Sequence, residues 1–249
     1  MKRYEGKVAV ITGGNSGIGY AAAERLRAEG AHVVIVGRRE DKVAEATKRL
    51  GDDVVGLTAD VSDNAQLDGL VEQLKTKHDR IDLLFANAGV AFFAPVDAVD
   101  EAFFDNITNI NQRGLFFTVQ KLLPLLKEGS SVVINTSVVN EIGLENGAVY
   151  AATKAAARNL ARGFAAELAP KGIRVNAVAP GPIETPIFDK TGMPKEALDD
   201  FATTMVGKIP LKRFGKPEEI AATVAFLGSG DAAFITGAEI PVDGGMTQV

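Results

Sequence analysis

Cysteine is absent from all 249 residues. That excludes disulfides, thiolate nucleophiles and cysteine-held zinc. Histidine is nearly absent: only His32 and His78 occur, far apart, so a histidine metal cluster or a Ser-His-Asp triad is poorly supported. Tryptophan is missing too, and aromatic residues make up 6 % of the chain. No basic block stands out. Lys+Arg is 27 against 32 Asp+Glu, a net charge of −5, which argues against nucleic acid as the main partner. No apolar run approaches the ~18 residues of a spanning helix. The first apolar run is interrupted by Gly13-Gly14-Asn15, too early for a signal segment. The expectation is a cytoplasmic protein with no metal site, no membrane contact and no nucleic acid partner.

What is present is ordinary core-forming material, 46 % hydrophobic and 24 % charged. Short apolar runs alternate with segments of helical spacing. Strands are expected at 7–12, 32–36, 54–59, 81–86, 131–135, 174–179 and 239–242. Helices are expected at 16–29, 40–50, 64–78, 100–109, 113–127, 148–168 and 217–227. This alternation implies βαβ units and a parallel sheet, and a run such as Val33-Val34-Ile35-Val36 fits a sheet covered on both faces. The predicted fold is α/β: a single doubly wound, Rossmann-type domain over 1–249, with about seven parallel strands flanked by helices. The irregular stretch 180–194, rich in Pro and Gly, leads into a short helix ending near 207, and a substrate lid is expected at about 186–207.

After the first strand the chain reads Thr12-Gly13-Gly14-Asn15-Ser16-Gly17-Ile18-Gly19 and enters a helix. Glycines 13, 17 and 19 allow a tight turn and close approach to a pyrophosphate, and the helix N-terminus offers free N–H groups with positive partial charge. Further along come Asp60-Val61, Asn87-Ala88-Gly89, Asn111, Ser137, Tyr150-Ala151-Ala152-Thr153-Lys154 and Pro180-Gly181. With a Gly-x-x-x-Gly-x-Gly turn and these motifs in order, the whole chain resembles the short-chain dehydrogenase/reductase family, in its ~250-residue single-domain branch. Within it, the chain looks like NADPH-dependent bacterial secondary alcohol dehydrogenases. One departure is minor: the family often has a second Asn where Ala86 stands.

The resemblance implies roles. Asp60 accepts from the adenine amino group, the Val61 amide completes that contact, and Asn87, Ala88 and Gly89 carry the adenosine ribose. Asn111 kinks a helix and positions a water beside the lysine. Lys154 holds the nicotinamide ribose, and Pro180, Gly181, Ile183 and Thr185 pack on the nicotinamide. The residues themselves support a proton-transfer site. Tyr150 and Lys154 stand four apart, on one face of a helix, and Ser137 ends the preceding strand. A phenol near pKa 10 needs help to work at neutral pH, and an ammonium ~4–5 Å away is expected to lower it by roughly two to three units. Ser137 is expected to orient the substrate oxygen.

Cofactor preference is readable at the second strand. An NAD-type site needs a carboxylate ~20 residues beyond the glycine turn. Counting from Gly17 reaches Gly37, followed by Arg38 and Arg39, and the nearest acids are Glu40 and Asp41. Arginine binds a 2′-phosphate bidentately, with Asn15 and Ser16 able to add hydrogen bonds, so NADP(H) is expected over NAD(H). The expected reaction is hydride transfer between NADP(H) and a ketone or secondary alcohol. Phe92, Phe93, Leu144, Ile187, Phe188, Met193 and Met205 suggest a hydrophobic substrate, with Ser137, Leu144, Tyr150, Ile187 and Phe188 touching it. Two alternatives are a 3-oxoacyl-carrier-protein reductase and a non-catalytic NADP(H)-binding regulator. The apolar helix faces and the C-terminal strand also point to a homotetramer.

Overall fold

In the computed structural model, which describes residues 2–185 and 195–249, β1 (Val8–Thr12) is buried along its whole length. It pairs in parallel with β2 (His32–Gly37) on one side and β4 (Ile81–Ala86) on the other. β3 (Val55–Thr58), β5 (Leu126–Asn135), β6 (Arg174–Pro180) and β7 (Glu239–Val242) complete a parallel sheet of order β3-β2-β1-β4-β5-β6-β7. The strand order reverses between β1 and β4, and open α/β sheets bind ligands beyond the strand carboxyl ends at such a point.

Helices cover both faces, as the continuous apolar strands require. On one face lie α1 (Gly17–Ala28), α2 (Glu40–Leu50) and α8 (Pro217–Gly228), which bury Leu26, Val43 and Val224 against Ile11, Ile35 and Phe85. On the other lie α3 (Asn64–Lys75), α5 (Leu115–Leu122) and α6 (Ala148–Leu168), which bury Leu70, Val119 and Ala161 against Val10, Leu84 and Ile134. α4 (Glu101–Thr108) packs beside α6, and α7 (Lys195–Lys208) follows the loop after β6. Asp63 caps α3 by accepting from the Ala65 and Gln66 amides. Among the described residues no helix is long and apolar enough to cross a membrane.

The expected helix at 113–127 is corrected. α5 ends at Leu122, a 3-10 turn spans Leu123–Leu125, and β5 begins at Leu126 beside Ile81. Pro124 has no N–H to continue the helical ladder, so the turn there releases the chain into the sheet. The pairing of β4 and β5 then shifts register before Leu83 meets Ser131, which is why only 131–135 reads as a strand in the sequence. A second difference is a π-helical turn, Asn109–Gly114, that joins α4 to α5.

Candidate active site

The glycine turn lies at the carboxyl end of β1, beside the ends of β2 and β4. Gly13 has φ +66°, and a Cβ there would stand 2.8 Å from Asn87 Nδ2. A Cβ on Gly19 would run into the Gly13 carbonyl oxygen. Gly17 also has positive φ. Ser16, the N-cap of α1, makes no side-chain cap, and the first turn holds no acid. The α1 N-terminus therefore keeps its donors and its positive end for an anion. This cradle, which any side chain would fill, fits a pyrophosphate.

The loops after β3 and β4 lie beside this cradle. Asp60 Oδ1 accepts from the Ser62 amide (2.9 Å) and hydroxyl (2.7 Å), which fixes the carboxylate. Val61 is buried behind it. Asn87 donates to the Thr12 and Gly13 carbonyl oxygens at 3.0 and 3.3 Å, and Thr12 Oγ1 accepts from the amides of Asn87 and Ala88. Arg38 and Arg39 are exposed at the end of β2 and form no ion pair among the described residues. Gly37 is less open than its lack of a side chain suggests. A Cβ there would meet Asn15 Oδ1 at 2.5 Å and Val43 Cγ2 at 2.9 Å, so the Asn15 carboxamide already occupies the space.

Ser137, Tyr150 and Lys154 meet where β5 hands over to α6. Ser137 is buried at the start of the turn Val138–Asn140, where its hydroxyl accepts from the Val139 amide at 3.4 Å and lies close enough to the Tyr150 phenol to influence its ionisation. Lys154 is 7 % exposed and donates to the Asn135 carbonyl oxygen at 2.8 Å. Its Nζ lies 5.9 Å from the Tyr150 ring centroid. Burial pushes the Lys154 ammonium down to about 8. Burial pushes the Tyr150 phenol up, and the neighbouring Ser137 hydroxyl opposes that. The expected lowering of the phenol by Lys154 is thus corrected for the chain alone: desolvation wins, and the opposing group is Ser137.

Asn111 lies in the π-helical turn. Its side chain bonds both backbone groups of Val90 at 2.8 Å and donates to Thr153 Oγ1 at 3.1 Å. The carboxamide is therefore committed to holding the loop after β4 against α6. Gly89 comes close to both Asn111 and Lys154; a Cβ there would stand 3.2 Å from Asn111 Oδ1 and 3.8 Å from Lys154 Nζ. On the far side, Gly181 bonds the Val242 carbonyl oxygen and lies against Asp243. Ile183 is buried and bridges to Gly215, while Thr185 stays partly exposed.

Above the phenol, Phe93 meets the Tyr150 ring edge-on at 5.8 Å between centroids. The Ala94 amide bonds the Asn146 carbonyl oxygen, which ties this aromatic segment to the loop carrying Leu144. Phe92 and Phe93 are 38 % and 44 % exposed, and Leu144 and Met205 are partly buried. Ile187, Phe188 and Met193 lie outside the described residues. Three participants were missed in the sequence. Thr12 clamps the loop after β4, Asn135 links Asn87 Oδ1 (2.9 Å) to Lys154, and Thr153 bridges Asn111 to the Tyr150 carbonyl oxygen. The position of Thr12 and Asn135 at strand ends was the available signal. Among the described residues no acidic or histidine group could hold a metal.

Residues 13–247 match a protein family described as enoyl-(acyl carrier protein) reductase. The oxidoreductase asL5 of Sarocladium schorii is 41 % identical over 252 residues, covering 100 % of this chain and 99 % of that protein. Levodione reductase of Leifsonia aquatica is 38 % identical over 259 residues, covering 98 % and 96 %. Among solved structures, a short-chain dehydrogenase/reductase described as glucose/ribitol dehydrogenase from Brucella melitensis superposes with TM-score 0.93 at 36 % identity, over 100 % of both chains. A 3-ketoacyl-(acyl-carrier-protein) reductase from Brucella melitensis complexed with NADH gives 0.89 at 34 %, covering 98 % of both. The Pseudomonas aeruginosa RhlG/NADP complex gives 0.90 at 31 %, covering 99 % of both. With the glycine cradle, the parallel sheet and the Ser137–Tyr150–Lys154 cluster in place, the chain belongs to the short-chain dehydrogenase/reductase family of oxidoreductases.

Proposed function

We propose that this oxidoreductase interconverts a hydrophobic ketone and a secondary alcohol, with NADP(H) preferred over NAD(H). The observation that carries the reading is the meeting of the Ser137 hydroxyl and the Tyr150 phenol, one helical turn from a buried Lys154 and beneath the Phe93 ring. When bound, a nicotinamide nucleotide supplies the hydride for reduction and accepts it in oxidation.

The chain's own work is to bind, orient and move one proton. Ser137 holds the substrate oxygen, and Tyr150 donates its phenolic proton to that oxygen in reduction and recovers it in oxidation. Lys154 holds the nicotinamide ribose and favours the phenolate once the proton has left. Gly13, Asn15, Ser16, Gly17, Ile18 and Gly19 seat the pyrophosphate. Asp60, Val61, Asn87, Ala88 and Gly89 seat the adenosine, and Pro180, Gly181, Ile183 and Thr185 the nicotinamide. Asn111 positions the lysine side of the site through Thr153. Arg38 and Arg39, exposed and without an ion-pair partner among the described residues, read the 2′-phosphate. Phe93 and Leu144 line the mouth and favour an apolar substrate over a sugar.

The chain 1–249 is one domain in this reading and four copies form the working assembly; the first part of the lid expected at about 186–207 lies outside the described residues. The test is a panel of aryl ketones, long alkyl ketones, a 3-oxoacyl thioester and sugars, run in parallel with NADPH and NADH. Faster turnover of apolar ketones with NADPH is expected. Preference for the thioester would make the chain a 3-oxoacyl-carrier-protein reductase. Nucleotide binding with no turnover on any ketone would make it a sensor.

A further inference from the structure

Ser137 is flanked by a buried ionic network that the nucleotide and proton-transfer groups do not use. At its centre is Glu239 on β7, whose side chain is only 7 % exposed. Glu239 Oε1 accepts from the Thr136 hydroxyl at 2.5 Å, and Asn140 Nδ2 stands 3.0 Å from both carboxylate oxygens. Arg158 Nε stands 3.4 Å from Oε2, and Arg158 also donates to the Gly237 carbonyl oxygen at 2.9 Å. Thr136 immediately precedes Ser137, and Asn140 ends the turn Val138–Asn140 that immediately follows it. Arg158 lies one helical turn beyond Lys154 on α6.

One carboxylate thus grips both sides of the Ser137 turn and ties it to the helix that carries Tyr150. Such a network is a costly way to gain stability, since desolvation of a buried pair offsets much of its Coulombic gain. What it supplies is geometry. The turn is otherwise held by the Thr136 amide on the Val178 carbonyl oxygen, which also stands 2.9 Å from the Thr136 hydroxyl as a second acceptor, and by its own internal bonds. Rotation of Ser137 by a single rotamer or a shift of the turn by ~1 Å would separate it from Tyr150, and a misplacement of that size costs roughly 10²-fold in rate.

We propose that Glu239 is a positioning residue for the reaction, acting through Thr136 and Asn140 to fix Ser137 relative to Tyr150. The proposal rests on the reading of Ser137 as the group that holds the substrate oxygen.

The test combines Glu239→Ala, Glu239→Gln, Asn140→Ala and Ser137→Ala with the double variant Glu239→Ala/Ser137→Ala. Turnover of an apolar ketone, nucleotide affinity and a crystal structure of Glu239→Ala are measured. Glu239→Ala is expected to lower kcat roughly 10- to 100-fold with nucleotide affinity unchanged. Glu239→Gln keeps an acceptor for Thr136 and is expected to recover most of that loss. Asn140→Ala leaves the carboxylate paired with Arg158 and keeps the test open if Glu239→Ala folds poorly; it is expected to lower kcat in the same sense. In the Ser137→Ala background, Glu239→Ala should cost almost nothing further, because its effect passes through Ser137. The Glu239→Ala structure should show Ser137 withdrawn from Tyr150. Equal losses from Glu239→Ala in both backgrounds, or an unmoved Ser137, would overturn the positioning role while leaving Ser137 itself in place. Full turnover in Ser137→Ala alone would overturn the reading of Ser137 and the proposal with it.

Discussion

Lys154 enters the folded chain under strain of solvation: burial takes its ammonium down to about 8, from ~10.4 in an unfolded chain. Below pH 8 both states hold the proton, and the folded state carries a penalty of about 3 kcal/mol. Between pH 8 and ~10 the unfolded chain holds more protons at this position, so its contribution to stability rises with pH. Above pH 10 the sign reverses, because burial holds Tyr150 and Tyr4 up and the folded chain then keeps protons the unfolded chain loses. Lys154→Met is therefore expected to melt higher than the parent at pH 7, with the gap shrinking towards pH 9.5. Calorimetry at several pH values checks this, and a gap that does not change with pH would contradict it. At Tyr150 the expectation is kinetic: Tyr150→Phe keeps the ring against Phe93 and loses the proton, so turnover falls roughly 10²- to 10⁴-fold while nucleotide affinity is retained. Steady-state rates and a fluorescence titration separate the two. If Arg38 and Arg39 read a 2′-phosphate as proposed, a charge-assisted bond of ~1.5–3 kcal/mol is expected to make NADPH preferred at least about tenfold. Gly37→Asp combined with Arg38→Leu is expected to shift that preference towards NADH. Gly37→Asp alone should weaken both nucleotides, since its Cβ displaces Asn15 from the glycine turn. Equal catalytic efficiency of the unmutated chain with both nucleotides would remove Arg38 and Arg39 from this role.

At the scale of elements, sequence and structure agree where one local signal decides. The run from Val33 to Val36 is fully buried β2, and α6 spans Ala148–Leu168, the same bounds its spacing predicts before Pro170. They part where two segments far apart in sequence must meet. β5 starts at Leu126 because Ile81 lies beside it, and nothing near Leu126 announces that neighbour. The same holds within the site. Glycines, Ser137, Tyr150 and Lys154 were legible because their spacing relates them to one turn or one helix face. Thr12, Asn135 and Glu239 were not, because each acts across strands whose register is set by the whole sheet. The π-helical turn gives an element-scale test. Gly114 has ordinary helical φ and ψ, yet a Cβ would stand 2.9 Å from the Val61 carbonyl oxygen. Alanine there gains about 0.5–1 kcal/mol of backbone entropy, but forcing a methyl into a packed contact costs about 1–3 kcal/mol. Gly114→Ala is therefore expected to lower the melting temperature and, by pressing on the Asp60-Val61 loop, to weaken nucleotide binding. A more stable variant with unchanged affinity would show that the loop yields freely.

At the scale of the whole molecule, two features are left partly uncovered by the described residues. One is an aromatic face on α4 and α5: Phe104 and Phe116 are 48 % and 38 % exposed, with Phe116 meeting Phe117 edge-on and the core residue Phe164 at a tilt. The other is the edge strand β7, which has no strand beyond it among the described residues, together with a fully exposed Phe234 five residues before it in sequence. An isolated exposed aromatic ring needs no explanation, but a cluster beside a groove and an unprotected strand edge are both features that association covers. The two surfaces lie on different elements, so each can form its own two-fold contact, and two isologous interfaces at right angles close into a D₂ tetramer. Placing a charge in either one should then split the assembly in half and leave the other intact. Phe116→Asp and Phe234→Asp are each expected to give dimers, and the double variant monomers, because an unpaired carboxylate in an apolar interface costs more than one such contact returns. Sedimentation velocity on the parent should give four times the chain mass. A parent sedimenting as a single chain would remove the tetramer, and a parent tetramer unaffected by either substitution would place its interfaces elsewhere on the surface.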